Sequence, residues 1–287
     1  MSSVRFLVFR KAERFAALEL RNRTCGKRAV DPAGGPAVSL TSYGRRIDAV
    51  HLTIESIAAG SLRPRRLILW LDDRDVIDRP TPGLRRLVRR GVEVRFSPNY
   101  RPHTKYYPYV QSVAHHQEPL VTADDDLVYP RTWLEQLVSA HAANPATNTA
   151  HRSREVLVER GELAPYRSWP EVGHGPASPR NLATGTWGHL IVPRMLEALR
   201  DRAEEFSAVA PAADDIWLHR VAVETGVAAK VTGAFTHRDF LHLPDGGAAL
   251  STDNVDGSGN DRQIASTWSS EMQTRIAKAP APGNTYL

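Results

Sequence analysis

Apolar residues along this chain fall into two alternating periods, which predict strands separated by helices. Residues 37–41 form a short apolar run, and residues 67–71 (LILWL) are apolar throughout. A run without polar alternation predicts a strand covered on both faces of a sheet. Residues 92–96 and 120–123 are the third and fourth expected strands. Between these runs the period lengthens to that of a helix. Asp48 is placed to cap a helix that buries Ile54, Ile57 and Ala58. Thr81-Pro82 opens another, with Thr as cap and Pro in the first turn. Its apolar face is Leu84, Leu87 and Val88; Arg85, Arg86, Arg89 and Arg90 form a solvated face, and Gly91 stops it. Thr132 and Glu135 have capping-box spacing ahead of Trp133, Leu134, Leu137 and Val138. Strands alternating with helices predict an α/β domain: a central, mostly parallel sheet with helices on both faces. The second half is rich in loops, with strands near 147–152 and 188–192 and a helix from Asp214 to Thr225 closed by Gly226. Before the sheet, residues 4–22 mix Val4, Phe6, Leu7, Phe9, Phe15, Leu18 and Leu20 with basic residues, the pattern of a basic amphipathic helix. Pro and Gly in residues 31–36 then mark a loop. The expected organisation is an arm over residues 1–30, one domain over 31–278 and a frayed tail over 279–287.

A chain of 287 residues suits one large α/β domain. Its single cysteine, Cys25, excludes an intrachain disulfide and fits a reducing compartment. No apolar run approaches the roughly 20 residues that span a bilayer, and the run at residues 6–9 is too short for a signal-peptide core. A cytoplasmic location is expected. The net charge of +5 is uneven. Residues 1–30 hold eight Lys or Arg and two Glu, a net +6, which leaves −1 for the rest. A nearly neutral body argues against nucleic acid as a partner. The basic arm instead allows residues 4–22 to meet an anionic membrane on its inner face.

Ligands of such sheets bind beyond the carboxyl ends of the strands. Thr41-Ser42-Tyr43, Asp72-Asp73 and Asp124-Asp125-Asp126 all fall there. Alternate carboxylates at a strand end can hold a hard divalent cation, and a pyrophosphate leaving group needs one to neutralise its charge. Asp214-Asp215 opens the late helix. Asp214 is assigned as its cap, which leaves Asp215 in the first turn, where the helix dipole favours an anion that can accept or orient a hydroxyl.

The ordered set TSYGRRI, RLILWLDD, HTKYYPYV, VTADDDLVYP and ADDIWLHRVAVETG resembles glycosyltransferases of the GT-A fold, over residues 37–233. It is most similar to bacterial enzymes of capsule, lipopolysaccharide and other cell-surface polysaccharide biosynthesis. The Thr104-Lys105 segment, the DDD strand end and the later Asp pair also resemble the exostosin-like catalytic domain. The resemblance implies a Rossmann-like nucleotide-diphospho-sugar transferase fold over residues 31–278, a nucleotide-diphosphate sugar donor, a glycan or lipid-linked acceptor, and Mn2+ or Mg2+. It places Thr41, Tyr43 and Arg45 near the base, Lys105 at the donor phosphates, and Asp124 and Asp125 at the donor. Asp124 and Asp126 would bind the metal with a late histidine, His242 or His237. Arg238 or Arg262 would assist at the phosphates, Gly185 and Trp187 would border the acceptor, and Asp214 or Asp215 would face its hydroxyl. An inverting enzyme would use Asp215 as general base; a retaining one would use it to position or stabilise, and the exostosin likeness leans that way. The alternatives are a nucleotidyltransferase acting on a sugar phosphate, poorly served by the single glycine of TSYGRR, and a non-catalytic sugar-binding protein at a membrane surface.

Overall fold

The computed structural model describes residues 3–243 and 259–286. Helix α1 (Ser3–Thr24) leads to strand β1 (Ala37–Thr41). Helix α2 (Val50–Ala58), strand β2 (Leu67–Leu71), helices α3 (Arg74–Asp78) and α4 (Pro82–Arg89), and strand β3 (Glu93–Phe96) follow. Next come α5 (Tyr107–Ser112), β4 (Leu120–Thr122), β5 (Leu127–Val128), α6 (Trp133–Ala142) and β6 (Asn148–Ala150). The middle of the chain is extended: β7 (Ser153–Glu155), β8 (Val158–Glu159), β9 (Glu162–Leu163), β10 (Glu171–Ser178), β11 (Asn181–Ala183) and β12 (His189–Ile191). It closes with α7 (Pro193–Asp201), α8 (Phe206–Val209), α9 (Asp214–Thr225), β13 (Ala229–Val231), β14 (Leu241–His242), α10 (Gly259–Thr267), α11 (Ser270–Lys278) and β15 (Thr285–Tyr286).

The expected α/β architecture is present. The main sheet runs β11-β7-β10-β13-β6-β12-β4-β1-β2-β3, with β15 also on β10. β2 is buried along its whole length, as its unbroken apolar run requires. β1 pairs in parallel with β2 and β4, and β2 with β3. β12 lies antiparallel between β4 and β6, and β13 continues parallel to β6. Six central strands therefore share one direction, with β12 reversed among them. Their carboxyl ends and the amino end of β12 meet along one edge. That brings the segments after β1, β4 and β6 together with the loop before β12. Helices flank the sheet: α1, α2 and α4 pack on one another, as do α5, α7, α9 and α10 through successive contacts.

Local signals hold where the backbone matches them. Thr81 Oγ1 accepts from the Leu84 N–H at 3.4 Å, Pro82 sits in the first turn, and Gly91 takes φ +99° after α4. Leu84 and Leu87 are buried, but Val88 is 43% exposed. The arginine face of α4 is not uniformly solvated either. Arg90 is buried against Glu55 of α2, and Arg86 donates to Asn22 of α1 at 2.7 Å. Two expected caps are absent. Asp48 ends a 3-10 turn (Gly44–Asp48), and Ala49 takes the position before α2. Thr132 lacks the extended backbone of a capping residue, with φ −94° and ψ 11°; Glu135 accepts from Ser61 Oγ at 2.6 Å instead.

The second half of α1 and strand β15 are both tied to the body. From Leu18 onward α1 lies on α2 and α4, and Glu55 meets Arg21 at 3.2 Å and accepts from Asn22 at 3.0 Å. The side chains of Val4, Phe6, Leu7 and Phe9, expected on its apolar face, lie outside those described. At the other end β15 pairs with β10, and Asn284 and Tyr286 donate to Glu155 at 2.9 and 2.8 Å. Among the described residues no helix is long and apolar enough to cross a membrane.

Candidate functional site

The centre of the site is the ammonium group of Lys105. It lies 3.1 Å from Asp124 Oδ1, just after β4, and 3.2 Å from Asp214 Oδ2, at the start of α9. Burial alone would lower the lysine pKa, but the two carboxylates reverse this and raise it, so the group stays protonated. Gly185, on the loop before β12, completes the pocket: a Cβ there would stand 3.0 Å from the ammonium nitrogen. Four segments far apart in sequence thus meet at one charge.

Histidine 103 explains how the lysine is held. Its ring is fully buried and stacks on Phe206 at 4.1 Å. Nε2 lies 2.7 Å from the Ala210 carbonyl, and Nδ1 lies 2.8 Å from the Tyr106 hydroxyl. A carbonyl can only accept, so Nε2 carries the proton and Nδ1 accepts from Tyr106. Burial pushes the His103 pKa down to about 4, which keeps it neutral. Ala210 begins the turn into α9, so this ring fixes the Lys105 turn against the Asp214 turn. Thr104 steadies the same turn by accepting from the Tyr100 N–H at 2.9 Å.

The three aspartates after β4 take different roles. Asp124 points to Lys105. Asp125, expected at the donor, turns inward and is 6% exposed; it accepts from Ser42 Oγ at 2.5 Å and Arg46 Nη1 at 3.0 Å. Its backbone carbonyl accepts from Thr53 Oγ1 at 2.8 Å. Asp125 therefore fastens the β4 turn to the β1 turn. Asp126 is half-buried and lies 3.3 Å from Arg46. Burial, then the Asp124 and Asp125 carboxylates, raise its pKa. Tyr129 supports the turn from below, accepting from the Asp124 N–H at 2.7 Å.

Among the residues expected at the nucleotide, Thr41 spends its hydroxyl proton on the Trp70 carbonyl at 3.1 Å. Tyr43 and Arg45 are exposed at the mouth, with the Arg46 guanidinium 5.5 Å from the Tyr43 ring. A shallow, open depression lies at the ends of β2 and β3, lined by Asp72, Asp73, Arg74, Asp75 and Phe96. Arg74 lies over the Phe96 ring at 3.7 Å.

On the opposite side, Trp187 differs from the expectation. Its ring is 2% exposed and stacks on Phe240 at 4.8 Å, so it is core, not a platform for a sugar. Its φ of +74°, followed by Gly188 at +108°, directs the ring inward. Neither Asp214 nor Asp215 caps α9; Ala213 holds that position. Asp214 faces Lys105, and Asp215 Oδ1 accepts from the adjacent Ile216 N–H at 2.9 Å. Burial, then the Asp214 charge, push the Asp215 pKa up to about 7.

Around this strand end stand Asp124, Asp125, Asp126, Asp214 and Asp215, with Lys105 and Arg46 as their paired cations. Five carboxylates against two cations, with Asp126 and Asp215 raised, fit a hard divalent cation in charge and ligand type. Among the described residues no three His, Cys, Asp or Glu side chains converge as a ligand set. His242, on β14 beside β5, reaches Asp126 only through its field, and His237 bonds Glu171 at 2.8 Å instead. A cation here would take only one or two side-chain ligands from the protein, the rest coming from its ligand.

Ser42 was expected at the strand end but given no role, and Arg46 and His103 were not singled out from sequence. The first two lie inside TSYGRR and the third beside the Thr104-Lys105 pair, but nothing local marks their distant partners.

No protein-family model matches the chain, and no curated protein matches it in sequence. Among solved structures it is similar to a mannosyltransferase from Pyrobaculum calidifontis in complex with GDP-Man and Mn2+, at 16% identity and TM-score 0.43, covering 78% of this chain and 65% of that one. It is also similar to a CMP:2-keto-3-deoxy-manno-octonic acid synthetase complexed with CTP, at 10% identity and TM-score 0.40, covering 69% of this chain and 89% of that one. A third is the inositol-1-phosphate CTP transferase from T. maritima, at 14% identity and TM-score 0.42, covering 69% and 85%. This chain thus spans 65% of the length of the mannosyltransferase. Overlaps this loose leave the choice among activities to the residues of the site.

Proposed function

We propose that this chain transfers a glycosyl group from a nucleotide-diphosphate sugar to a hydroxyl of a glycan or lipid-linked acceptor. The observation that carries this reading is the Lys105 ammonium held between Asp124 and Asp214, with Gly185 beside it. A fixed positive charge next to two acidic turns is suited to a diphosphate on one side and a hydroxyl on the other. In this reading the donor enters across the ends of β1 and β2, with the base at the depression near Asp72 and Phe96 and the Tyr43–Arg45 turn beside the base. Lys105 meets the diphosphate and is drawn from Asp124. Asp126, with Asp124, would hold a divalent cation, Mn2+ or Mg2+, which would supply positive charge to the leaving diphosphate. Asp215 orients the acceptor hydroxyl, and a pKa near 7 lets it accept that proton at neutral pH.

The turn after β1 favours glycosyl over nucleotidyl transfer. A triphosphate cradle needs several free backbone N–H groups and basic side chains, whereas Arg46 here is committed to Asp125 and Asp126. The remaining proposal is location: the net +6 of residues 1–30 brings α1 to an anionic membrane surface. Vesicle co-sedimentation that is equal for anionic and neutral lipid would remove that part.

A thermal-shift screen of nucleoside diphosphates and their sugars, with and without Mn2+, tests the whole. Ligands that bind the folded state raise the melting temperature. Stabilisation by nucleoside triphosphates but by no diphosphate sugar would overturn glycosyl transfer.

A further inference from the structure

The sheet edge that carries Asp124 continues past Gly185 into a basic wall. β6 ends there, and Arg152 follows it; the Arg152 carbonyl accepts from the Thr184 N–H at 3.2 Å, so this segment and the Gly185 loop are joined. Arg152 donates through Nε and Nη2 to Glu171, the former at 3.2 Å, and Arg154 Nη2 reaches the same carboxylate at 3.4 Å. His237 Nε2 adds a fourth contact at 2.8 Å. Two guanidinium charges and an imidazole share one carboxylate, which leaves at least one positive charge in excess. All but His237 are half-buried, where an unneeded charge is costly.

The wall adjoins the Gly185 loop through Trp187, two residues farther along it. The Arg152 guanidinium lies 5.5 Å from the Trp187 ring and the His237 ring lies 4.7 Å from it. Arg154 lies 5.4 Å from the ring of Tyr166. Tyr166 in turn feels Asp215: burial, then the Asp215 charge, raise its pKa. Asp215 and the two arginines thus act on the same buried ring. Arg152 Nη1 and Arg154 Nε have no hydrogen-bond partner among the described residues. Guanidinium groups with open N–H positions match phosphate and carboxylate oxygens.

We propose that Arg152, Arg154 and His237 bind an anionic group, phosphate or carboxylate, carried by the acceptor near its reacting hydroxyl. The proposal rests on the reading of Asp215 as the residue at that hydroxyl. Glu171 holds the arginines in place without an acceptor and shares them when the anion arrives.

The test is calorimetric titration of the full chain with glucose 1-phosphate, glucuronate and methyl glucoside, with and without a nucleoside diphosphate and Mn2+ filling the donor side. One or both anionic probes should bind and the neutral one should not; the tighter of the two identifies phosphate or carboxylate. Arg152→Gln should weaken anion binding about tenfold, the loss expected for one charge-assisted hydrogen bond. Glu171→Gln, which keeps an acceptor but removes the competing charge, should strengthen it severalfold. Equal binding of charged and neutral probes, binding unchanged in both variants, or no binding of any probe would overturn the proposal. Nucleoside diphosphate affinity is read in the same cell. If it is absent while the anion still binds through Arg152, the donor reading fails and the anion site stands.

Discussion

Asp215→Asn separates catalysis from stability. The side chain is half-buried at the start of α9 beside Asp214, and these surroundings push its pKa up to about 7 from an ordinary 3.8. The folded state therefore holds this proton more tightly than the unfolded chain. Between those two values the folded protein binds more protons, so stability falls as pH rises from about 4 to 7 and is level above. At 1.36 kcal/mol per pH unit, keeping the carboxylate ionised at pH 8 costs up to about 4 kcal/mol. The group is not sealed from solvent, and screening reduces this to about 2 kcal/mol. Asparagine keeps the shape and the Oδ1 acceptor for the Ile216 N–H but carries no charge. The variant should match the parent near pH 3, below the ordinary carboxylate value of 3.8, and melt higher at pH 8. For a chain of 287 residues about 2 kcal/mol corresponds to roughly 3–4 °C. Turnover should meanwhile drop by roughly a hundredfold or more, the loss expected for a missing general base. Differential scanning calorimetry at the two pH values gives the first quantity, and release of nucleoside diphosphate from a donor sugar gives the second. A melting difference that does not depend on pH refutes the electrostatic account; normal turnover refutes the role at the hydroxyl.

Other perturbations probe separate parts of the molecule. Lys105→Ala should weaken nucleoside diphosphate binding about tenfold to a hundredfold, as for a lost hydrogen bond to a charged group, and leave nucleoside binding unchanged; equal loss of both would indicate a folding defect. Asp126→Ala should remove the Mn2+ dependence of diphosphate affinity in calorimetry, and a retained dependence would exclude this carboxylate from the metal. Gly185→Ala places a methyl group 3.0 Å from the Lys105 nitrogen and should raise the KM for donor without lowering the melting temperature. Glu55→Ala strands the buried Arg90 and should lower stability by about 3–5 kcal/mol in urea titration, with donor affinity unchanged in the folded protein.

What was legible in the sequence follows the range of the force involved. The strand ends and the acidic turns were readable because apolar runs and their polar terminators are local, and β1, β2 and β4 begin where those runs begin. Cap residues were less readable, since capping depends on backbone angles that neighbouring packing decides. Thr132 and Glu135 had the right spacing, yet Glu135 is drawn to Ser61, 74 residues away. Within Asp124-Asp125-Asp126 the type of residue was plain and the division of labour was not. Asp125 is taken by Ser42 and Arg46, 83 and 79 residues earlier. The neighbour of Lys105 that matters most for its aim, His103, acts through a carbonyl 107 residues downstream. The arginines of α4 show the same limit from the other side. Spacing alone makes them a solvated face, and only the burial of Glu55 beneath α1 explains why Arg90 is drawn in while Arg89 stays exposed. A buried carboxylate needs a cation more than a helix face needs uniformity, and that demand arises only once the helices have packed.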